Sequence, residues 1–241
     1  MVKKPSVDIT IPVYNEEKEL EKSVMTLADY LTRNLSDFDW SISVADNAST
    51  DNTLKIAQKL EKKYPYVNAI HLPKKGRGRA VKYVWQHSKA DYVAYMDVDL
   101  SSDLNHFPNL VHALQRGYDI AIGSRNTRGS RVYGRNLLRT TTSKGYITLI
   151  KLFFWVHFTD AQCGFKAVTR EVVDELIPLI ADNGWFFDSE LLIIGEKLGY
   201  RIYDEPVTWI DNPGSTVRVW KTAKGDLEGL IRLFKTRPWR R

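Results

Sequence analysis

The chain has 241 residues, 43% hydrophobic and 12% aromatic, enough for one large α/β domain or a domain with an appended subdomain, and it is expected to fold as a globular unit. Its single cysteine, Cys163, excludes an internal disulfide framework and any Cys-rich metal site, which suits a reducing compartment, and the short polar stretch from Met1 to Ser6 carries no secretory signal. The net charge of +6 comes without a recognition-helix, zinc-finger or aromatic RNA-binding signature, so nucleic acid is not the expected partner.

Short apolar runs alternate with segments of helical period, the rhythm of a doubly wound parallel sheet. In chain order the pattern predicts a strand at Val7–Val13, a helix at Glu17–Leu35, a strand at Trp40–Asp46 and a helix at Thr53–Tyr64. Asp51 is the expected N-cap of that second helix and Pro65 its stop. A strand at Val67–Leu72, a helix at Gly78–Ser88, a strand at Asp91–Met96, a helix at Leu104–Arg116 and a strand at Asp119–Gly123 follow. Beyond Gly123 the alternation gives way to an Arg- and Gly-rich loop, a long apolar segment and a mixed carboxyl-terminal region. No repeat or low-complexity tract interrupts the chain.

Ligands of such sheets bind outside the carboxyl ends of the strands. The residues there are polar and specific: Pro12-Val13-Tyr14-Asn15-Glu16, then Asp46-Asn47-Ala48-Ser49-Thr50-Asp51, then Lys74-Lys75-Gly76-Arg77-Gly78-Arg79, and Asp97-Val98-Asp99 directly after an apolar run. Two carboxylates one residue apart at the end of a buried strand can converge on one hard divalent cation and leave coordination positions for diphosphate oxygens. An Asp-x-Asp by itself also fits a solvated turn. The company it keeps favours the cation.

These four strand ends are collinear with those of glycosyltransferase family 2, which the chain resembles. Later segments narrow the resemblance to the polyprenyl-phosphate sugar synthases: Gly123-Ser124-Arg125, Asp160-Ala161-Gln162-Cys163-Gly164-Phe165-Lys166, Phe187-Asp188-Ser189-Glu190-Leu191-Leu192 and Pro206-Val207-Thr208-Trp209, of which the runs Gln162–Lys166 and Phe187–Leu191 look most like dolichyl-phosphate glucose synthases. The resemblance implies the glycosyltransferase A fold, a nucleotide-binding, Rossmann-like, mostly parallel sheet with helices on both faces. It also implies inverting, metal-dependent transfer of a sugar from a nucleotide-sugar, UDP-glucose favoured, to dolichyl or undecaprenyl phosphate.

The same resemblance puts Pro12, Tyr14 and Glu16 around base and ribose and gives Asp46 the job of accepting from the base. Gly76, Arg77 and Gly78 lie by the phosphates and ribose, with Arg77 where many relatives carry Lys. Asp97 and Val98 fall nearest the ribose, and Asp97 and Asp99 hold Mg2+ or Mn2+. Ser101 stands where some mannosyl-phosphate synthases have Gln, which leaves a third protein ligand open. Tyr14 also fits a packing residue, Asp46 a helix cap, and Gly-x-Gly a basic turn.

A phosphate monoester, with a second pKa of about 6, is already a nucleophile and needs cations more than a strong base. Ile120 to Thr159 holds no acid but seven cations, Arg125, Arg128, Arg131, Arg135, Arg139, Lys144 and Lys151. Arginine suits this task because its planar fork binds phosphate oxygens bidentately. Ser124, Arg125 and Arg139 occupy the acceptor-phosphate places of similar synthases, while Arg128, Arg131 and Arg135 read as a solvated or headgroup-facing loop. Asp160, Asp188 and Glu190 are the remaining carboxylates. In a sugar-hydroxyl transferase one of them is the base; in a phosphate-acceptor enzyme all three orient arginines or sugar hydroxyls, and Asp160 fits a purely structural role equally.

Tyr146 to Phe158 is too short and interrupted to span a bilayer, and fits an interfacial segment or a core helix equally. Residues 1–216 are expected to form the catalytic domain and 217–241 a basic amphipathic tail, with eight Lys or Arg against Asp226 and Glu228. In the tail, Val219, Trp220, Ala223, Leu227, Leu230, Ile231 and Phe234 recur at helical spacing, as in an in-plane membrane helix or a helix docked on the domain. The expected setting is therefore peripheral, at the cytosolic face of an anionic membrane, with the terminal Arg237-Pro238-Trp239-Arg240-Arg241 suggesting the flank of a longer membrane-anchored chain. Of the alternatives, a nucleotidyltransferase lacks support because Tyr14-Asn15-Glu16 stands where a Gly-rich phosphate loop belongs. A processive polysaccharide synthase lacks its Gln-x-x-Arg-Trp. A non-catalytic nucleotide- or lipid-binding relative is separated only by activity, and the pattern is silent on oligomeric state.

Overall fold

A computed structural model describes residues 3–135, 137–211 and 219–240. The first five predicted strands are present with small shifts of their ends: β1 (Ser6–Val13), β2 (Asp39–Asn47), β3 (Val67–Leu72), β4 (Tyr92–Met96) and β5 (Ile120–Ser124). They alternate with α1 (Leu20–Asn34), α2 (Thr53–Lys63), α3 (Arg77–His87) and α4 (Phe107–Gln115). Then follow β6 (Arg131–Tyr133), α5 (Leu137–Phe154), β7 (Phe165–Thr169), α6 (Arg170–Leu176), α7 (Phe187–Lys197), β8 (Ile202–Pro206), β9 (Thr208–Ile210) and α8 (Val219–Thr236).

Among the described residues the main sheet runs β3-β2-β1-β4-β7-β5-β8, and β6 pairs in parallel with β9 in a small second sheet. Strand β7 alone of the main sheet is antiparallel to both neighbours, with Met96 opposite Phe165 and Ile122 opposite Lys166. The central strands are buried on both faces, which is why they read as apolar runs. One core packs α1, α2 and α4 on the first face through Leu27, Leu60 and Phe107. The other packs α5, α6 and α7 on the opposite face through Ile150, Val172 and Leu191, with α3 and α8 adding Trp85, Leu230 and Leu233.

Three local readings are corrected. Helix α1 begins at Leu20 because Glu17 is held in a loop, accepting through Oε2 from the Asn52 backbone N–H (3.0 Å). The residue capping α2 is Asn52, not Asp51; the Asp51 carboxylate accepts from the Thr53 N–H at 2.9 Å and still covers an open donor of the first turn. The long apolar segment belongs to an α5 that starts at Leu137.

The tail helix docks on the domain and leaves a second stripe uncovered. Asp226, Leu230 and Leu233 are buried against the domain, while Leu227, Ile231 and Phe234 stay exposed on an adjoining stripe. The end of α5 continues this stripe: Leu152 is 70% and Trp155 82% exposed, and the Phe153 and Phe234 rings meet edge-on at 6.0 Å. No helix among the described residues is long and apolar enough to cross a membrane. The 216/217 boundary lies outside the described residues.

Candidate active site

The carboxyl ends of β1, β2 and β4 converge, and each is followed by a non-glycine residue at positive φ: Asn15 (58°), Ala48 (67°) and Leu100 (48°). That conformation costs of order 1 kcal/mol or more per residue, so surrounding contacts must hold it. Asn47 supplies several, donating to the Val13 carbonyl and accepting from the Gly76 N–H, both at 2.8 Å. It ties together the first two strand ends and the turn before α3. Asn15 joins the same two loops through Ser49 (2.9 Å) and Thr50 (2.8 Å).

On the expected donor side, Pro12 is buried within β1 opposite Ala45, and Tyr14 lies half-buried with the Lys75 ammonium 3.2 Å from its ring centre. Burial, then the nearby carboxylates of Glu19 and Asp99, push Glu16 up to about 7. Asp46 is fully buried, accepting from the Ser49 N–H (3.2 Å) and meeting His71 Nδ1 (2.7 Å), so its oxygens are held by the chain itself and His71 presents the open side. Gly76 and Gly78 serve packing. A Cβ on Gly78 would stand 2.5 Å from Cβ of Phe187 and one on Gly76 2.5 Å from the Asn183 carbonyl oxygen. The N–H groups of Gly78 and Arg79 donate to the carbonyls of Gly184 and Asn183, so this helix end is closed by protein where the resemblance put phosphate.

Asp97 and Asp99 face a narrow cleft shared with Ser101, Ser102, Gly164 and Trp209, while Val98 turns into the core. The cleft walls strip water from Asp99 and Asp97 adds repulsion, so Asp99 titrates above the ordinary carboxylate range; it accepts from the Ser101 N–H at 3.0 Å. Arg77 grips one oxygen of Asp97 at 2.6 Å. Gly164 packs so tightly on the other side that any Cβ would overlap the Asp97 carboxylate. Two hard oxygen donors, with the acidic rim of Glu16, Glu19 and Asp51 nearby, fit a divalent cation that also takes diphosphate oxygens. Among the described residues no group of three or more His, Cys, Asp or Glu is arranged to hold a metal alone.

Behind this cleft lies a buried charge cluster. Asp188, in the first turn of α7, meets Arg77 at 2.6 Å, Lys166 at 2.9 Å and the Tyr95 hydroxyl. Burial alone raises its pKa, but Lys166, Arg77 and Tyr95 together outweigh that and hold it below the usual range. Lys166 is 0% exposed and also donates to the Cys163 carbonyl (2.6 Å). The Arg77 guanidinium is sandwiched between the rings of Tyr95 (4.8 Å) and Trp185 (5.0 Å). Glu190 is buried away from the cleft, accepting from the Asp182 N–H (2.8 Å) and from Arg232 of α8 (3.1 Å).

The arginine segment is more internally satisfied than its composition implies. Arg125 is bound to Asp160 through Nε (2.7 Å) and one terminal nitrogen (2.9 Å). Burial pushes Asp160 up, and Arg125 more than reverses it. Ser124 is fully buried, its hydroxyl meeting Thr159 (2.6 Å) and accepting from the Asn126 and Thr127 N–H groups, so it does not face an acceptor. Arg139 pairs with Asp211 at 2.9 Å. Arg128 and Arg131 are exposed, as a solvated loop requires; Arg135 is not.

Sequence reasoning assigned no role to Lys166, Tyr95, Asn47 or Trp209. A lone Lys inside the apolar run Phe165-Lys166-Ala167-Val168 was the available signal, since a buried ammonium demands a counter-charge.

Residues 8–177 match Glycosyl transferase family 2. The chain is 33% identical over 205 residues to Glycosyltransferase AglD of Haloferax volcanii, covering 84% of this chain and 33% of that protein. It is 30% identical over 219 residues to a dolichyl-phosphate beta-glucosyltransferase of Trichomonas vaginalis (87% of this chain, 65% of that one). It is 28% identical over 230 residues to the dolichyl-phosphate beta-glucosyltransferase of Saccharomyces cerevisiae (87% and 68%). The chain thus spans from a third to about two thirds of these relatives. The structure of glucosyl-3-phosphoglycerate synthase from Mycobacterium tuberculosis, with Mn2+, UDP-glucose and phosphoglyceric acid, superposes with a TM-score of 0.69 at 18% identity, covering 96% of this chain and 80% of that one. The fold is the glycosyltransferase A fold.

Proposed function

This chain belongs to glycosyl transferase family 2, and on that footing we propose that it transfers glucose from UDP-glucose to a polyprenyl phosphate with inversion. The observation that carries this reading is the state of Asp188. A general base needs a pKa near the operating pH and room to reach the proton it takes. Asp188 is 3% exposed, neutralised by two cations and held below the usual carboxylate range. An acceptor that arrives already ionised needs no such base, and a phosphate monoester is that acceptor. The two dolichyl-phosphate glucosyltransferases among the relatives support the same acceptor and sugar.

Asp97 and Asp99 would hold Mg2+ or Mn2+, which when bound offsets charge developing on the departing diphosphate. Arg77 fixes the Asp97 carboxylate, Gly164 allows the close approach of β7 to β4, and Lys166 and Tyr95 hold Asp188 as the counter-charge of Arg77. Glu190 positions α8 through Arg232. Leu152, Phe153, Trp155, Leu227, Ile231 and Phe234, ringed by Lys197, Arg237 and Arg240, form the face toward an anionic cytosolic membrane surface, where apolar burial and lysine or arginine attraction add together.

The test is a screen of UDP- and GDP-sugars against a polyprenyl phosphate with Mg2+ or Mn2+. Product from UDP-glucose supports the reading. Transfer only to a free sugar hydroxyl, with an acid limb in the rate profile, overturns it.

A further inference from the structure

The segment around α5 brings together three guanidinium groups and two carboxylates. Arg125 is bound to Asp160 and Arg139 to Asp211. Arg135 has no Asp or Glu partner among the described residues, and residues 1–2, 136, 212–218 and 241 contain no Asp or Glu. Its Nε is buried without a hydrogen-bond partner. Leaving a charged donor out of water and unpaired is costly unless an anion arrives to meet it.

The small sheet aims this residue. Val132 pairs with Trp209 and Tyr133 with Ile210, and Gly134, at φ +73°, turns the chain. The Arg135 guanidinium then lies 5.6 Å from the Trp209 ring centre, and that of Arg125 5.4 Å from the same ring. Trp209 also lines the cleft of Asp97 and Asp99, so one indole meets both the guanidinium pair and the carboxylate cleft. Arg125 has one terminal nitrogen without a described partner.

We propose that Arg135, stacked on Trp209 and flanked by the uncommitted nitrogen of Arg125, is the side chain that grips the acceptor's phosphate. This deepens the phosphate-acceptor reading and rests on it for the identity of the physiological ligand. Burial, with repulsion from Arg125, lowers the pKa of Arg135, and the charge of a bound phosphate opposes both effects. A guanidinium fork matches phosphate oxygens, which carry about 1.5 to 2 negative charges at neutral pH.

The experiment uses the full chain and its Arg135→Gln and Arg135→Lys variants. Phosphate binding is followed by titration of inorganic phosphate with 31P NMR, UDP binding with Mn2+ by calorimetry, and transfer to polyprenyl phosphate by product formation. Arg135→Gln should weaken inorganic phosphate and raise the KM for polyprenyl phosphate by about ten-fold or more, as loss of a charged hydrogen bond does. Arg135→Lys should recover part of that loss, and UDP affinity should stay within about two-fold. Because the substitution removes a half-buried cation whose Nε is unpartnered, the thermal midpoint of the Gln variant should equal or exceed that of the parent, which a structural arginine would not allow. Equal phosphate affinity in parent and Gln variant, or an equal loss of UDP affinity, overturns the assignment. If the parent transfers to no polyprenyl phosphate, the functional reading fails, and the phosphate titration still decides whether Arg135 makes an anion site.

Discussion

Replacing Asp188 by Asn tests the claim that this carboxylate is a fixed counter-charge and not a base. The substitution keeps volume and removes charge. Arg77 retains Asp97 at 2.6 Å, so the damage falls on Lys166, which is 0% exposed and is left with the Cys163 carbonyl and the Tyr95 hydroxyl. Breaking a buried pair from one side costs about 3–5 kcal/mol. At about 2–4 °C per kcal/mol for a domain of this size, the thermal midpoint should fall by about 6–20 °C. Since the folded pKa of Asp188 is depressed, the stability it confers is present above the ordinary carboxylate value of about 4 and is lost as pH falls through the folded one. The deficit should therefore be constant at neutral pH and shrink in acid. Differential scanning calorimetry from about pH 2 to 8 reads this directly, with Lys166→Met combined with Asp188→Leu as the control that removes both charges and recovers most of the loss. The parent's rate profile should show the acceptor phosphate's ionisation near about 6 and no limb from Asp188. A variant as stable as the parent but with kcat down about a thousand-fold or more would refute the reasoning and make Asp188 the base.

Asp226 carries the opposite sign: burial pushes it up to about 6, so its ionisation penalises the fold as pH rises from about 4 to 6 and stays constant above. Asp226→Asn, which still accepts from the Gln162 amide (2.7 Å in the parent), should be more stable by about 2–3 kcal/mol at pH 8 and no different at pH 4, read by urea denaturation. Gly164→Ala should displace the Asp97 carboxylate and cost about a hundred-fold in kcat/KM; unchanged turnover would contradict the close approach. Asp99→Asn should remove much of the metal-linked transfer without unfolding the protein, and full activity at limiting metal would dismiss it as a ligand. Sedimentation with anionic liposomes should show salt-sensitive binding that Trp155→Glu with Phe234→Glu abolishes, whereas binding that ignores both changes would assign those exposed rings another purpose.

The strand ends were legible because parallel strands buried on both faces appear as apolar runs whose carboxyl ends are marked by the first polar residue. Asp97 and Asp99 follow Tyr92–Met96 in that way. Pairings across long sequence distances were not legible. Arg77 reaches Asp97 20 residues away and Asp188 111 away, and nothing local announces that one guanidinium serves both. The acid-free stretch from Ile120 to Thr159 suggested free arginines, yet its partners Asp160 and Asp211 lie just beyond it and in the far β9 turn. Gly76 and Gly78 were read against a ligand because their own neighbours, Asn183 and Phe187, arrive from over a hundred residues later. The tail's stripe was visible, but not that helical spacing there holds two adjoining faces, one for Leu230 and Leu233 and one for Leu227 and Phe234.

The reversed direction of β7 has a consequence for how the chain is laid out around the cleft. Because Phe165 opposes Met96 at the start of an antiparallel strand, the polypeptide that leaves the sheet after Ser124 re-enters it at the same rim. The 125–164 excursion therefore leaves and rejoins the main sheet at one rim, while it carries β6, which pairs with β9, and α5, which fills the second core. Asp97 and Asp99 follow β4, outside that excursion, and the arginines at 125, 135 and 139 sit inside it. On the proposed roles, the two substrates are met by different lengths of chain that are joined where Gly164 packs on Asp97.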